Sequence, residues 1–318
     1  MTEGNKVKIL KKLGSGVQGE AFLCEHKEHG IVVVKRSRDP QKKITSEANL
    51  LASVLLRSNF PYIVHLLSYS TTATTLDLMF RHCDSGDLGG YIKNPSNLVK
   101  GYPTMQIVRQ VQVQLGAALV WLHTGAVYDC DAHRVTTPAP ANWNTIVHRD
   151  IKPANVFLTS NPYSTLPNIV LGDFGAAITK RPYDSVFKAP REAFEDPNPQ
   201  HEYTDPVYAP PEYQRLCVRI NEGDRTIRLD PHPSFDIWQY GAVLFEMVCR
   251  DGYAAQRSQL IPGRIFAGSG LRAEIEALLE LDSRRRPTDE QILQRLAEWH
   301  LKRDQAMPEP GHGVRTHY

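Results

Sequence analysis

Cysteine is scarce in this sequence, and the cysteines present do not pair by spacing. Five of them, Cys24, Cys83, Cys130, Cys217 and Cys249, are scattered through 318 residues. An odd number without regular spacing argues against a disulfide framework. It predicts free thiols in a reducing compartment, hence an intracellular location, cytoplasmic or nuclear. Long apolar runs are missing too. None approaches the ~18 residues of a membrane-spanning helix, and no leader-like segment opens the chain. Position 2 is Thr2, so the glycine required for N-myristoylation is absent. Neither sign of charge dominates. A formal net charge of +2 supplies no basic stripe of the kind nucleic-acid binders need, so neither nucleic acid nor membrane is expected as a partner. No internal repeat is visible.

The length suits one large domain or two small ones, and it allows a substantial core without disulfides or metals. The first eighty residues read as short strands broken by glycines. VKILKKLGSGVQGEAFLCEHK is strand, Gly-rich turn, strand; IVVVKR is a β-branched strand; IVHLLSYS and TLDLMF complete a small sheet. EANLLASVLL has helical spacing. After SGDLGG the pattern changes to helices. Ile107, Val108, Val111, Leu115, Ala118, Leu119 and Leu122 mark one long helix, and SFDIWQYGAVLFEMVC is apolar nearly all round, the mark of a buried helix. LRAEIEALLEL and TDEQILQRLAEWHLKR are amphipathic. A small β-rich lobe followed by a larger helical lobe is an α+β arrangement. Residues 123–145, 180–206 and 251–270 lack periodicity, as functional or disordered loops do. A disordered tail is expected from about 303.

Three stretches carry chemistry. GSGVQG (Gly14, Gly16, Gly19) lies between two strand candidates. Glycines there let backbone N–H groups approach phosphate oxygens, although a plain hairpin turn would look the same. The motif precedes a strand, which argues against a dinucleotide-binding turn. Lys35 ends the run VVV, either as a solvated edge or as a buried lysine paired with Glu47 on the next helix. HRDIKPAN places Asp150, Lys152 and Asn155 in close order, and Asp173 follows in LGDFG. Three oxygen-bearing side chains and a lysine near a Gly-rich loop suit Mg²⁺ and a polyphosphate.

In this set and order the chain resembles the eukaryotic protein kinase family, over residues about 7 to 300. GSGVQGEA is similar to the Gly-rich loop, VVVK to the strand carrying the ATP-anchoring lysine, and HRDIKPAN and DFG to the catalytic loop and metal-binding motif. YAPPEY resembles the end of the activation segment, with Pro210-Pro211-Glu212 for Ala-Pro-Glu. Asp236 looks like the helix aspartate supporting the catalytic loop, and Arg286 like the partner of Glu212. The resemblance implies a bilobal protein kinase-like fold, with a small β-rich N-lobe over 1–82, a larger mainly helical C-lobe over 83–302 and a tail over 303–318.

The resemblance also implies roles. Asp150 would take or orient the substrate hydroxyl proton, and Lys152 would stabilise the transferring phosphoryl group. Asn155 and Asp173 would hold Mg²⁺, while Lys35, oriented by Glu47, would hold the ATP phosphates. Ala21, Val33 and Phe157 would enclose the adenine, with Phe157 stacked beneath it or merely packed under the pocket. Phe80 would close the pocket from behind. Cys83 and Asp87 would line it from the linker that follows. Lys152 two after the aspartate resembles the serine/threonine pattern, so the expected activity is phosphotransfer from ATP to protein hydroxyls. The alternatives are a pseudokinase or ATP-binding scaffold module, whose usual mark is loss of Lys35, Asp150 or Asp173, and a small-molecule kinase.

Some positions depart from the family. Asp205 stands where a threonine is usual, and a carboxylate there would repel Asp150 unless Lys152 sits between them; Thr204 could serve with a one-residue shift. Arg149 could dock a phosphate on Thr179, Ser185, Tyr203 or Thr204, or Glu192, Glu195 and Asp196 could supply fixed charge, or the loop could carry no switch. The 123–145 insertion is a neutral surface loop or a partner-docking loop. Cys130 with His133 has the spacing of half a metal site but no second pair.

Overall fold

A computed structural model describes residues 7–16, 19–37, 50, 60–72, 75–99, 101–179, 205–222, 232–249 and 270–305. The N-terminal part is an antiparallel sheet of β1 (Val7–Gly16), β2 (Gly19–His26), β3 (Gly30–Ser37), β4 (Leu66–Thr71) and β5 (Leu76–Arg81), in the order β1-β2-β3-β5-β4. The two-residue period of β3 sorts its side chains. Val32 and Val34 join Cys24 and Met79 in a small cluster on one face. Val33 packs against the main core, together with Leu78 and Phe80 of β5. Lys35, two residues beyond Val33, shares that inner face.

The chain continues through α1 (Leu88–Lys93) into α2 (Met105–Thr124). The apolar residues of α2 predict one buried stripe, yet every residue from Ile107 to His123 is buried. Its polar side chains tolerate this because they are paired. Gln114 accepts from the Ile169 peptide N–H at 2.9 Å and donates to Asn168 at 2.9 Å, while Arg109 is bridged to Glu274. Gly125, at φ 77°, ends α2 in the left-handed conformation that favours glycine.

The 123–145 stretch contains a hairpin, β6 (Val127–Asp129) with β7 (Arg134–Thr137). Asp129 Oδ1 closes its turn by accepting from the peptide N–H groups of Asp131 and Ala132 at 2.8 and 2.9 Å. Trp143 pins the insertion to α2. Its Nε1 donates to the Leu122 carbonyl at 2.9 Å, and its ring meets Trp121 edge-on at 5.3 Å. Cys130 is buried, and the His133 ring lies against that of His300. Among the described residues no group of three or more His, Cys, Asp or Glu side chains is placed to hold a metal ion, and no helix is long and apolar enough to cross a membrane.

After β8 (Ile146–Val147) come β9 (Val156–Thr159), β10 (Asn168–Leu171) and β11 (Ile178–Thr179), pairing as β9 with β10 and β8 with β11. The helices α3 (Pro211–Asn221), α4 (Ser234–Val248), α5 (Leu271–Leu278) and α6 (Asp289–Gln305) complete the larger part. Helix α4 is buried as its composition predicts, apart from Glu246. Helix α6 runs through Gln305, past the expected start of the tail at 303. The helix expected over 47–56 lies outside the described residues except for Leu50, as do nearly all of 180–206 and 251–270. The fold is α+β, a five-stranded sheet above a helical lobe.

Candidate active site

The polar cluster lies on the loop from His148 to Asn155, between β8 and β9, and α4 holds that loop by its backbone. Asp236 Oδ2 accepts from the His148 peptide N–H at 2.7 Å and Oδ1 from that of Arg149 at 2.8 Å. Gln239, one turn further along the same helix face, accepts from the Ile151 N–H at 2.9 Å and donates to the Arg149 carbonyl at 3.0 Å. These bonds hold Arg149 at φ 65°, a conformation that a non-glycine residue keeps only when its surroundings impose it. The side chain of Arg149 is buried, with Nε donating to the Ala176 carbonyl at 2.7 Å.

Three groups converge on Asp150. Lys152 Nζ lies 3.0 Å from Oδ2, Asn155 Nδ2 donates to Oδ2 at 2.9 Å, and the Asp205 peptide N–H donates to Oδ1 at 3.3 Å. Lys152 also lies 4.0 Å from Asp205 Oδ2, so the lysine stands between the two carboxylates. Thr204 lies outside the described residues.

Asp173 follows β10 with φ 61°. Lys35 reaches it from β3, Nζ to Oδ1 at 2.9 Å. Burial alone would raise the Asp173 pKa, but the adjacent Lys35 ammonium outweighs it and holds the carboxyl below its ordinary value. His148 ties the two motifs together. Burial pushes its pKa down, so the ring is neutral. Nδ1 accepts from the Asp150 N–H at 3.3 Å, which leaves Nε2–H to donate to the Gly172 carbonyl at 3.1 Å. Glu47, the expected partner of Lys35, lies outside the described residues.

The candidate nucleotide residues fall on adjoining strands. Gly14 pairs with Ala21 and Gly16 with Gly19 across the first hairpin, whose Val17 and Gln18 are not described. At Gly19, φ is 137° and a Cβ would come within 2.2 Å of the Arg36 carbonyl oxygen, so no other residue fits. Ala21 pairs with Lys35, and Val33 with Phe80. Burial, helped by Asp84, pushes the Cys83 thiol up to about 11, leaving it protonated at neutral pH. Asp87 caps α1, Oδ1 accepting from the Gly90 N–H at 2.9 Å. The Phe157 ring lies on Gly172, with Cε2 only 2.7 Å from where a Cβ would stand, and it packs against the main core.

The segment after the site is anchored by a fork. Arg286 Nη1 and Nη2 meet Glu212 Oε1 and Oε2 at 2.6 and 2.7 Å, with the guanidinium 4.9 Å from the Trp238 ring. Of the positions considered for phosphorylation, Thr179 is in β11; Ser185, Tyr203 and Thr204 lie outside the described residues, as do Glu192, Glu195 and Asp196. Gln239, His123 and Asp289 were not legible in the sequence as contributors to the site. Each acts through a partner more than eighty positions away, and no local pattern marks such a contact.

A β-sheet lysine thus meets the aspartate of DFG beside a loop pinned to a buried helix, within a two-part α+β domain. The chain belongs to the protein kinase domain family, which matches residues 7–305. It is 27% identical over 304 residues to the serine/threonine-protein kinase Nek2 of Mus musculus, covering 90% of this chain and 58% of that protein. It is 26% identical to the G2-specific protein kinase nimA of Emericella nidulans (79% of this chain, 33% of that protein). It is 25% identical to the interferon-induced, double-stranded RNA-activated protein kinase of Rattus norvegicus (91% and 51%). The chain therefore spans only part of the length of these relatives.

Proposed function

We propose that this chain is an ATP-dependent serine/threonine protein kinase, transferring the γ-phosphoryl group of ATP to a protein hydroxyl inside the cell. The observation that carries this reading is that the loop on which Lys152 and Asn155 converge on Asp150 is joined to the strand end where Lys35 meets Asp173, the Gly172 N–H donating to the Asn155 carbonyl at 3.0 Å. Asp150 accepts or orients the hydroxyl proton, the general-base role open to a carboxylate within hydrogen-bond reach. Lys152 places positive charge where negative charge builds on the phosphoryl oxygens. Lys35 contacts the ATP phosphates, and the glycines of the first hairpin let peptide N–H groups approach them.

Asn155 and Asp173 suit Mg²⁺. Both offer oxygen, Asn155 commits only its Nδ2 to Asp150, and Asp173 is ionised at neutral pH. When bound, the ion would neutralise phosphate charge. Three features support a protein as acceptor: the fork between Arg286 and Glu212, the loop support from Asp236, and the serine/threonine kinases among the relatives. Ala21, Val33, Phe80, Cys83 and Asp87 are the adenine and ribose side of the same reading.

The test is Asp150→Asn. Asp150 touches Lys152, Asn155 and the Asp205 N–H. We expect single-turnover transfer from labelled ATP to fall by about 10²–10⁴-fold, with ATP affinity by calorimetry unchanged. Equal transfer by wild type and variant overturns the assignment. ATP binding without transfer in the wild type would make the chain an ATP-binding scaffold.

A further inference from the structure

His123 lies in the last turn of α2, outside the set of residues assigned to ATP and metal, and its side chain is fully buried. Both of its ring nitrogens face carboxylates. Nε2 is 3.0 Å from Asp236 Oδ2 and Nδ1 is 2.6 Å from Asp289 Oδ1. A neutral imidazole carries one N–H and would turn a lone pair towards one of these carboxylates; only the imidazolium donates to both. Asp236 Oδ2 is the same oxygen that accepts the His148 peptide N–H, and its neighbour Oδ1 accepts that of Arg149.

We propose that His123, held as an imidazolium between Asp236 and Asp289, is a positioning residue for the catalytic loop. Its charge offsets the buried Asp236 carboxylate and fixes the direction in which that carboxylate presents its oxygens to the peptides of His148 and Arg149. The inference rests on the kinase reading for its consequence in catalysis, though not for the ion triad itself.

The surroundings agree with this assignment. Asp236 approaches from α4 and Asp289 from the start of α6. On the far side of Asp236 lies His148, which burial keeps neutral. Burial would push His123 down as well, but Asp289 and then Asp236 outweigh it and hold it near 10. Asp289 is the handle for a test, because its side chain is 14% exposed whereas that of Asp236 is fully buried. Asp289→Asn keeps a hydrogen-bonding group but removes one of the two charges that hold the proton.

The experiment uses the full chain with ¹⁵N-labelled histidine, the His123 signals being assigned by their loss in His123→Gln. In the wild type both ring nitrogens should be protonated at pH 8, where an ordinary histidine, titrating at about 6.5, is neutral. In Asp289→Asn the ring should lose its proton at a lower pH than in the wild type. As it does, the amide-exchange protection of His148 and Arg149 should fall. Above that midpoint kcat should fall with it by roughly tenfold per pH unit, while KM for ATP stays constant.

A neutral ring in the wild type at pH 8 overturns the proposal. So does a variant whose ring titrates while loop protection and kcat do not respond. A wild type that transfers no phosphate defeats the kinase reading alone, and amide protection then decides the positioning role. Should Asp289→Asn fail to fold, the wild type carries the same test when its ring signals and amide protection are followed to about pH 11.

Discussion

Lys152 stands between Asp150 and Asp205, 3.0 Å from the first carboxylate and 4.0 Å from the second. Two carboxylates this close would repel each other; the ammonium between them lets both remain in place. Asp205 is further tied down by its own turn, Oδ1 accepting from the Val207 N–H at 3.0 Å. Lys152→Ala should lower kcat by about 100-fold or more, because it removes charge at the transferring group and leaves two unscreened carboxylates. Adding Asp205→Asn should recover part of that loss, since one carboxylate then remains. A double-mutant cycle on kcat measures the coupling; simple additivity would show that Asp205 and Asp150 do not interact through the lysine.

The Lys35–Asp173 pair makes a prediction about acid stability. The folded-state pKa of Asp173 is depressed, so the group stabilises the fold above its unfolded value, about 3.9, and that contribution is lost as pH falls through the lower folded value. Urea denaturation of wild type and Asp173→Asn should therefore show the wild type ahead at pH 7. The gap should close progressively as pH falls below about 3.9, the unfolded value. A gap that widens on acidification would mean the pairing with Lys35 does not favour the ionised form.

Phe157 separates two uses of an aromatic ring. Its ring rests on Gly172 and packs against the main core. Phe157→Leu should therefore cost about 1 kcal/mol of stability, the usual size for a change of shape in a packed site, and leave ATP affinity nearly unchanged. Gly172→Ala should be worse for stability, because the new methyl would overlap the ring at 2.7 Å. Calorimetry with ATP decides between the two: a several-fold loss of affinity in Phe157→Leu would establish the stacked arrangement beneath the base.

What the sequence determined by itself is local. The β-branched run from Ile31 to Val34 predicts a strand, in which Lys35 shares the face of Val33 because residues two apart lie on one side; that this face turns to the main core was settled only by packing. The nearly all-apolar stretch from Ser234 to Val248 predicts a buried helix, and the order of GSGVQG, HRDIKPAN and DFG points to phosphate, hydroxyl and metal. The 123–145 stretch hid its hairpin, because strands of three and four residues show too little alternation to read. Asp129 and Trp143 hold that hairpin instead, through contacts with a turn and with α2. Tertiary structure alone decided the pairings: Lys35 with Asp173, 138 positions on, and His123 with Asp289, 166 positions on. Periodicity reports which face of an element turns inward, but not which element meets it there. Those partners are chosen when buried polar groups, removed from water, must each find a counter-charge or a hydrogen bond among whatever the packed core brings within reach.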